Sequence, residues 1–245
     1  MRIPRIYTAQ CLTEGQNLVL EAGPAAHVSR VLRMRAGQSL LLFNGDGNEY
    51  LATITEADKR CVQISLGAVQ TDDRESSLPI ELGIGISRGD RMDWVLQKAT
   101  ELGVTAITPV LSERTGVKLK GERADKKWQH WQQVVISACE QCGRNRLPTV
   151  AAPCSLDHWL SKCEAERRYV LHHRASTARN SAKPASVALA IGPEGGLSEA
   201  EIKACQVAGF EALSLGPRIL RTETAPLAAI AILQSHWGDM GLPST

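Results

Sequence analysis

The sequence predicts an α/β protein in which a small β-rich unit precedes a larger, mostly parallel sheet covered by helices. Three observations support this: residues 1–70 show strand-like alternation, residues 71–78 are polar, and apolar runs then alternate with amphipathic segments. Of the 245 residues, 43% are hydrophobic, which is enough for a sizeable core. We therefore expect domains at 1–70 and 79–245, joined by a linker at 71–78.

The first unit has strand, turn and helix signals in sequence order. A helix is predicted over 25–34, and the apolar run 40–43 is predicted to be a strand that ends at the turn Asn44-Gly45-Asp46-Gly47. Residues 50–54 and 61–66 alternate between apolar and polar types, as half-buried strands do.

The second unit alternates predicted strands with predicted helices. Ser198 and Glu201 form a capping-box signature that Gly209 closes, and Pro226 falls in the first turn of the last helix, where it is tolerated. In the helix over 90–102, an apolar face including Trp94 is expected to be buried. Strands are expected at 80–86, 106–110, 169–172, 187–191 and 212–215, and helices at 90–102, 125–143, 156–166, 198–208 and 223–237.

Three predicted strand ends are candidates for a ligand site, because open α/β sheets bind ligands beyond the carboxyl ends of their strands. They are Leu171-His172, Gly192-Pro193-Glu194-Gly195-Gly196 and the segment 215–224. The second and third share a Gly-Pro step after an apolar strand, which makes a rigid turn with accessible backbone groups. Such turns suit a flat heteroaromatic ring, although each alone could be a plain strand-to-helix turn.

Several function classes are not expected from this sequence. Arg88 breaks the dinucleotide pattern that begins at Gly83, and neither a phosphate-binding P-loop nor a serine-hydrolase or zinc-protease motif occurs. The pair Cys139-x-x-Cys142 lacks a second ligand pair, so no metal site is expected. No run is long enough to cross a membrane and the first residues lack a signal-peptide pattern, so a cytoplasmic protein is expected.

Five segments resemble the ribosomal RNA small subunit methyltransferase E family, whose members methylate N3 of a uridine in 16S ribosomal RNA. Their order and spacing extend over nearly the whole chain. Ala26 departs from the family by replacing a histidine that often precedes His27, and Pro226 is a second departure. The segments are 27–33, 89–103, 141–148, 192–196 and 215–225.

The resemblance implies a knotted (trefoil) SPOUT-type methyltransferase domain behind a PUA-like β-barrel. It also implies a homodimer with the active site at the subunit interface, 16S rRNA of the small subunit as the substrate, and S-adenosylmethionine as the cofactor. The implied cofactor-binding residues are Leu171, His172, Gly192, Gly196, Leu215, Gly216, Ile219 and Leu220. The four apolar ones could instead be core residues, and His172 could be a surface residue.

The chemistry requires loss of the uracil N3 proton, which places negative charge on the flanking carbonyl oxygens. We expect Arg221 or Arg144 to stabilise that charge and Glu223 to position the base or accept the proton. Glu223 could instead be a helix-capping charge.

RNA docking is expected from basic residues, since the net charge of +2 requires any nucleic-acid surface to be local. A solvated charged surface is the alternative for each. The candidates are Arg2, Arg5, Arg30, Arg33, Arg35 and Arg146.

Two other functions remain open at the level of sequence. One is a non-catalytic RNA-binding protein of ribosome assembly that kept the fold. The other is an enzyme of the same fold that acts on transfer RNA or on a ribose 2′-hydroxyl.

Overall fold

The structure is a computed structural model that describes residues 3–58, 61–71, 73–117, 119, 121–172 and 182–241. The chain forms two compact units. The first comprises residues up to Glu75 together with Cys139–Leu147, and the second comprises Ser76–Ala138 and the residues from Pro148 onward. The first unit is therefore not the one continuous segment of the chain that the sequence had predicted. Residues 139–147 belong to it because Arg144 pairs with Glu75, and Asn145 accepts a hydrogen bond from Arg5.

A five-stranded sheet forms the first unit. Its order is β1-β3-β4-β5-β2, with β1 parallel to β3 and the other neighbours antiparallel. The three longer strands match the predicted runs, whereas β1 and β2 have three residues each and were not predicted. The strands are β1 (Arg5–Tyr7), β2 (Asn17–Val19), β3 (Ser39–Phe43), β4 (Glu49–Ala57) and β5 (Val62–Gln70).

The predicted helix of the first unit is divided into two parts, and it begins and ends three residues earlier than expected. Helix α1 (Ala22–Ala26) continues as a π-helical turn, His27–Val31, and Arg33 then adopts a left-handed conformation with φ of 54°. Val28 and Met34 are buried on either side of exposed residues. The left-handed residue stops the helix before Met34.

The second unit contains a seven-stranded, fully parallel sheet in the order β12-β10-β11-β6-β7-β8, with β9 also paired to β7. The prediction of a parallel sheet is confirmed; the two-residue strands β8 and β9 were missed. The strands are β6 (Ile80–Gly85), β7 (Ala106–Leu111), β8 (Thr149–Val150), β9 (Cys154–Ser155), β10 (Arg167–Leu171), β11 (Val187–Ile191) and β12 (Glu211–Leu213).

Five helices accompany this sheet, and the capping box of α5 forms as predicted between Ser198 and Glu201. The expectation for Trp94 was wrong, since it is 51% exposed, whereas Val95 and Ala99 of the same expected face are buried together with Met92 and Leu96. The helices are α2 (Arg91–Glu101), α3 (Glu122–Cys142), α4 (Leu156–Lys162), α5 (Glu199–Val207) and α6 (Ala225–Trp237).

Both faces of the parallel sheet are buried. On β11, Val187, Leu189 and Ile191 belong to one apolar cluster, and Ala188 and Ala190 belong to another. Because successive strand residues point to opposite faces, the two clusters lie on opposite sides of the sheet. Within the described residues, no helix combines the length and apolar character needed to cross a membrane. The trefoil knot stays a prediction.

Candidate functional site

A cavity of about 810 Å³ lies in the second unit, at the carboxyl ends of β10, β11 and β12. The structure brings together in its lining all three strand-end segments singled out from the sequence. Every predicted cofactor-binding residue lines it: Leu171, His172, Gly192, Gly196, Leu215, Gly216, Ile219 and Leu220. Their placement agrees with a ligand site at the strand ends, while their individual roles stay predictions.

The Gly192–Gly196 loop needs its glycines for steric reasons. A Cβ atom on Gly192 would lie 2.6 Å from the carbonyl carbon of Gly196, and one on Gly85 would lie 2.3 Å from the nitrogen of Pro193. Gly196 has φ of 69°, and its N–H donates to the Pro193 carbonyl at 2.8 Å. The loop therefore folds tightly on itself and on the end of β6.

The three segments are joined by hydrogen bonds. Thr222 Oγ1 donates to the Gly192 carbonyl at 3.0 Å, and the His172 N–H donates to the Leu213 carbonyl at 3.0 Å. Gly216 has φ of 102°, a conformation that favours glycine. These hydrogen bonds hold the ends of β10, β11 and β12 next to one another around the cavity.

Sequence reasoning missed part of the apolar lining. Ile191, Leu197, Ile202 and Leu213 also face the cavity. Ile191 and Leu213 are the last residues of β11 and β12, so the rule that ligands bind at strand ends could have identified them.

Two arginines of the lining were also missed, and both bind the Gly192–Gly196 loop. Arg91 Nη1 lies 2.8 Å from Glu194 Oε1, and Arg114 Nη1 donates to the Gly195 carbonyl at 2.9 Å. Arg91 Nε also lies 3.7 Å from Glu223 Oε2. A signal for Arg91 was its place at the start of a helix, where a cation is unfavourable and needs a partner.

Glu194 is held as a carboxylate. Partial burial raises its pKa, but hydrogen bonds from the Arg88 N–H and its own N–H, together with the Arg91 guanidinium, outweigh this. The net effect is a pKa below the usual value for glutamate. Glu194 therefore gives Arg91 a stable negative partner at neutral pH.

The two predicted catalytic residues of the last segment are adjacent to each other in the cavity lining. Arg221 Nη1 lies 3.9 Å from Glu223 Oε1; the arginine side chain is 80% exposed and the glutamate side chain 22%. An exposed guanidinium beside a half-buried carboxylate can meet a substrate that enters from solvent. The arrangement suits stabilisation of an anion together with proton acceptance.

Arg144 is in a different environment. Its side chain is 4% exposed and belongs to the first unit, where Nε donates to Glu75 Oε1 at 3.0 Å. A buried guanidinium that already has a carboxylate partner is poorly suited to stabilise a substrate anion, which corrects the expectation that Arg144 is an equal candidate to Arg221.

The predicted RNA-docking residues divide into two groups. The prediction that Arg5 docks RNA is corrected by the structure. Its side chain is 4% exposed, forms an ion pair with Glu49, and donates to Asn145 Oδ1 at 2.6 Å. A buried charge of this kind is structural, because a phosphate could reach it only by breaking the pair. Arg2 lies outside the described residues. The exposed ones are Arg30, Arg33, Arg35 and Arg146.

The cysteine pair Cys139 and Cys142 lies on α3. Burial raises the pKa of the Cys139 thiol to about 12, so at neutral pH it is a protonated, apolar group. Among the described residues, no cluster of three or more histidine, cysteine, aspartate or glutamate side chains could hold a metal ion.

Comparisons with known proteins identify both units. Residues 74–234 match a family described as an RNA methyltransferase domain, and residues 25–66 match an RNA methyltransferase PUA domain. The chain is 38% identical over 242 residues to Ribosomal RNA small subunit methyltransferase E of Buchnera aphidicola subsp. Schizaphis graminum, covering 98% of both chains. It is 30% identical to the Bacillus subtilis protein of that name, covering 92% of this chain and 93% of the other.

Two solved structures are similar over nearly their whole length. One is Ribosomal RNA small subunit methyltransferase E from Neisseria gonorrhoeae bound to S-adenosylmethionine, with 42% identity and a TM-score of 0.90. The other is a Legionella pneumophila protein in complex with the same cofactor, with 43% identity and a TM-score of 0.94. Each alignment covers 98% of this chain and 100% of the other.

Proposed function

The chain belongs to the ribosomal RNA small subunit methyltransferase E family, and from this premise we propose that it transfers a methyl group from S-adenosylmethionine to N3 of a uridine in 16S ribosomal RNA. The cofactor is the one bound in the Neisseria gonorrhoeae and Legionella pneumophila structures, and the class of substrate is the one that the relatives are named for. The N3 position rests on the resemblance of residues 215–225 to the family.

The observation that carries the proposal is the convergence of three strand-end segments on one cavity of about 810 Å³. That volume is in the range of pockets for small molecules and cofactors. Its lining combines apolar side chains such as Leu171 and Leu215 with backbone groups at Gly192 and Gly196, which suits an adenine ring and the methionine-derived part of the cofactor. The glycine at Gly192 allows the loop backbone at Gly196 and Leu197 to pack directly against it.

The protein's part in the reaction is to orient the uracil and to accept the proton that leaves N3. When bound, S-adenosylmethionine supplies a methyl group already activated on its sulfonium. In our proposal, Glu223 accepts the N3 proton, and Arg221 stabilises the negative charge that develops on the flanking carbonyl oxygens. The N3 lone pair then forms the bond to the methyl carbon, while the sulfur retains the electron pair of the broken bond.

RNA docking is assigned to the exposed basic residues of the first unit. Arg30, Arg33 and Arg35 lie close together along the chain and flank the exposed apolar residues Val31 and Leu32. Guanidinium groups bind phosphates, and apolar side chains pack against base surfaces, so this combination suits unpaired RNA.

A homodimer with the active site at the subunit interface is the proposed assembly. Ile219, in the cavity lining, is 84% exposed, and Ile232 on α6 is 54% exposed. Large apolar side chains in such positions are suited to burial by a second copy of the chain. We place the reaction in the cytoplasm because that is where small ribosomal subunits are assembled.

The deciding experiment is nucleoside mapping of 16S rRNA from cells that lack the protein, with rescue by the wild-type gene and by Glu223→Gln. We expect one N3-methyluridine to disappear and to return only with the wild-type gene. A lost ribose methylation or a lost tRNA modification would establish the other enzyme activity instead. Unchanged modification, with cofactor binding absent by calorimetry, would establish a non-catalytic RNA-binding protein.

A further inference from the structure

We propose that Arg91 is a positioning residue of the methyl-transfer reaction: it is anchored by Glu194 and holds the Glu223 carboxylate in place at the cavity. The inference rests on the proposed function and adds to it a residue outside the three cofactor segments. Arg91 lies in the cavity lining, yet it belongs to α2 and follows β6 rather than β10, β11 or β12.

The position of Arg91 is unfavourable for the helix that carries it. It is the first residue of α2, where the helix dipole disfavours a cation, and Asp90 before it makes no side-chain capping hydrogen bond. The acidic residue of the first turn, Asp93, interacts instead with His130 at 2.6 Å and with Lys127 at 3.5 Å. Local helix stability therefore does not account for an arginine here, whereas contacts to other segments do.

Glu194 fixes one end of the Arg91 guanidinium. Its Oε1 atom accepts from Arg91 Nη1 at 2.8 Å and from the Arg88 N–H at 2.9 Å. The backbone bond holds the carboxylate in one orientation, and this in turn restricts the guanidinium.

The other side of the guanidinium faces Glu223. Arg91 Nε lies 3.7 Å from Glu223 Oε2, and Arg221 Nη1 lies 3.9 Å from Glu223 Oε1. The two carboxylate oxygens thus face different arginines. Arg91 is anchored by Glu194 and 44% exposed, and Arg221 is 80% exposed, so we assign orientation of Glu223 to Arg91 and contact with the uracil to Arg221.

Arg114 provides a matched comparison because it contacts the same loop as Arg91. It also binds the Gly192–Gly196 loop, through the Gly195 carbonyl, and it also lines the cavity. No ion pair between Arg114 and Glu223 is present in the described part of the chain. Loss of Arg114 therefore tests the effect of loosening the loop without disturbing Glu223.

The test compares Arg91→Met, Arg91→Lys and Arg114→Met in methyl transfer to small subunits from cells lacking the protein, at saturating cofactor. We expect Arg91→Met to lower kcat about 10- to 100-fold and to change the Kd for S-adenosylmethionine less than about threefold. Arg91→Lys should recover part of the loss because it keeps the charge. Arg114→Met should act mainly on cofactor Kd.

A double-mutant cycle with Glu223→Gln completes the test. If Arg91 acts through Glu223, then Arg91→Met should have little further effect on kcat in the Glu223→Gln background. Arg167→Met is the control. It removes a surface ion pair with Glu211, 3.7 Å long, neither member of which lines the cavity, and it should keep wild-type activity.

Three results would overturn the inference while the proposed function stands: equal kcat losses for Arg91→Met and Arg114→Met, additive losses in the cycle, or a large loss of cofactor affinity for Arg91→Met. Lack of any transfer by the wild-type protein would instead remove the proposed function. Thermal unfolding of each variant without ligand separates these effects from loss of folded protein.

Discussion

Arg221 and Arg144 show how surroundings decide the role of one residue type. Arg221 lines the cavity and is 80% exposed, whereas the Arg144 side chain is 4% exposed and paired with Glu75. A charge that stabilises a transition state must be able to reach the substrate. Arg221 can do so because it is exposed and lies 3.9 Å from its carboxylate neighbour Glu223, whereas Arg144 is buried in a close pair.

Arg221→Ala should lower turnover about 100- to 1,000-fold, the range observed when one donor to a developing anion is removed. The Kd for S-adenosylmethionine should stay near the wild-type value, because the cofactor segments keep their backbone contacts. Single-turnover kinetics and calorimetry measure the two effects separately. Wild-type turnover would exclude Arg221 from the mechanism.

Arg5 illustrates the opposite case, a basic residue that contributes to the core. It forms an ion pair with Glu49, which is 3% exposed, and its guanidinium lies 4.8 Å from the centre of the Phe43 ring. Removing one member of such a pair leaves the other charge buried without compensation.

Arg5→Met should therefore lower the free energy of unfolding by about 3–5 kcal/mol. The double substitution Arg5→Met with Glu49→Met should regain much of that loss, since no lone charge remains buried. Urea unfolding of the two variants and the wild type measures this difference. Equal losses in the single and double variants would contradict a buried-pair role.

At the level of elements, the π-helical turn His27–Val31 and the residues after it form the most unusual local structure. The Leu32 N–H donates to the His27 carbonyl and the Met34 N–H to the Val28 carbonyl, which holds Arg33 at φ of 54°. A left-handed arginine is strained, and strain of this kind is concentrated at functional positions. Here the left-handed residue also ends the helix, so a binding role for this segment stays a prediction.

Arg33→Gly should raise the free energy of unfolding by about 1 kcal/mol, since relief of strain exceeds the added freedom of glycine in the unfolded chain. The same change should weaken RNA binding and reduce the slope of log K against log salt by about 0.7–0.9. Arg33→Ala is the control; it should weaken RNA binding without gaining stability. Unchanged RNA affinity in both variants would remove Arg33 from the docking surface.

At the level of the whole molecule, the proposed homodimer predicts that a particular set of exposed apolar side chains lies in the interface. Helix α6 buries Ala229, Ile230 and Leu233, yet Ile232 on its other side is 54% exposed. The α5 residue Val207 is 83% exposed and lies outside the cavity lining. Ile232 is therefore the candidate interface residue, and Val207 is an exposed apolar residue that serves as its control.

Ile232→Asp should shift the protein from a two-chain species towards a single chain, because a buried charge at an interface has no partner there. Val207→Asp should leave the association unchanged. Sedimentation velocity over a range of concentrations measures both. A single-chain wild-type protein would exclude the proposed assembly.

Periodicity and turn chemistry alone determined much of the fold. Continuous apolar runs predicted β3 and β11, period-two alternation predicted β4, and the Ser198–Glu201 box predicted the start of α5, because these signals depend on neighbouring residues. The Gly-Pro steps after two strands likewise predicted where a cavity would form. The family resemblance supplied the cofactor and the substrate, which periodicity could not.

Tertiary structure decided what depends on partners distant in sequence. Burial of Arg5, exposure of Trp94 and the pairing of Arg144 with Glu75 follow from which surfaces meet, and no local pattern encodes that. Arg91 is the clearest case: its neighbours Glu194 and Glu223 lie more than a hundred positions away along the chain, and they become its partners only when β6 pairs with β11. Electrostatic interactions depend on distance in space, so a side chain's charge environment is fixed only once the sheet has formed.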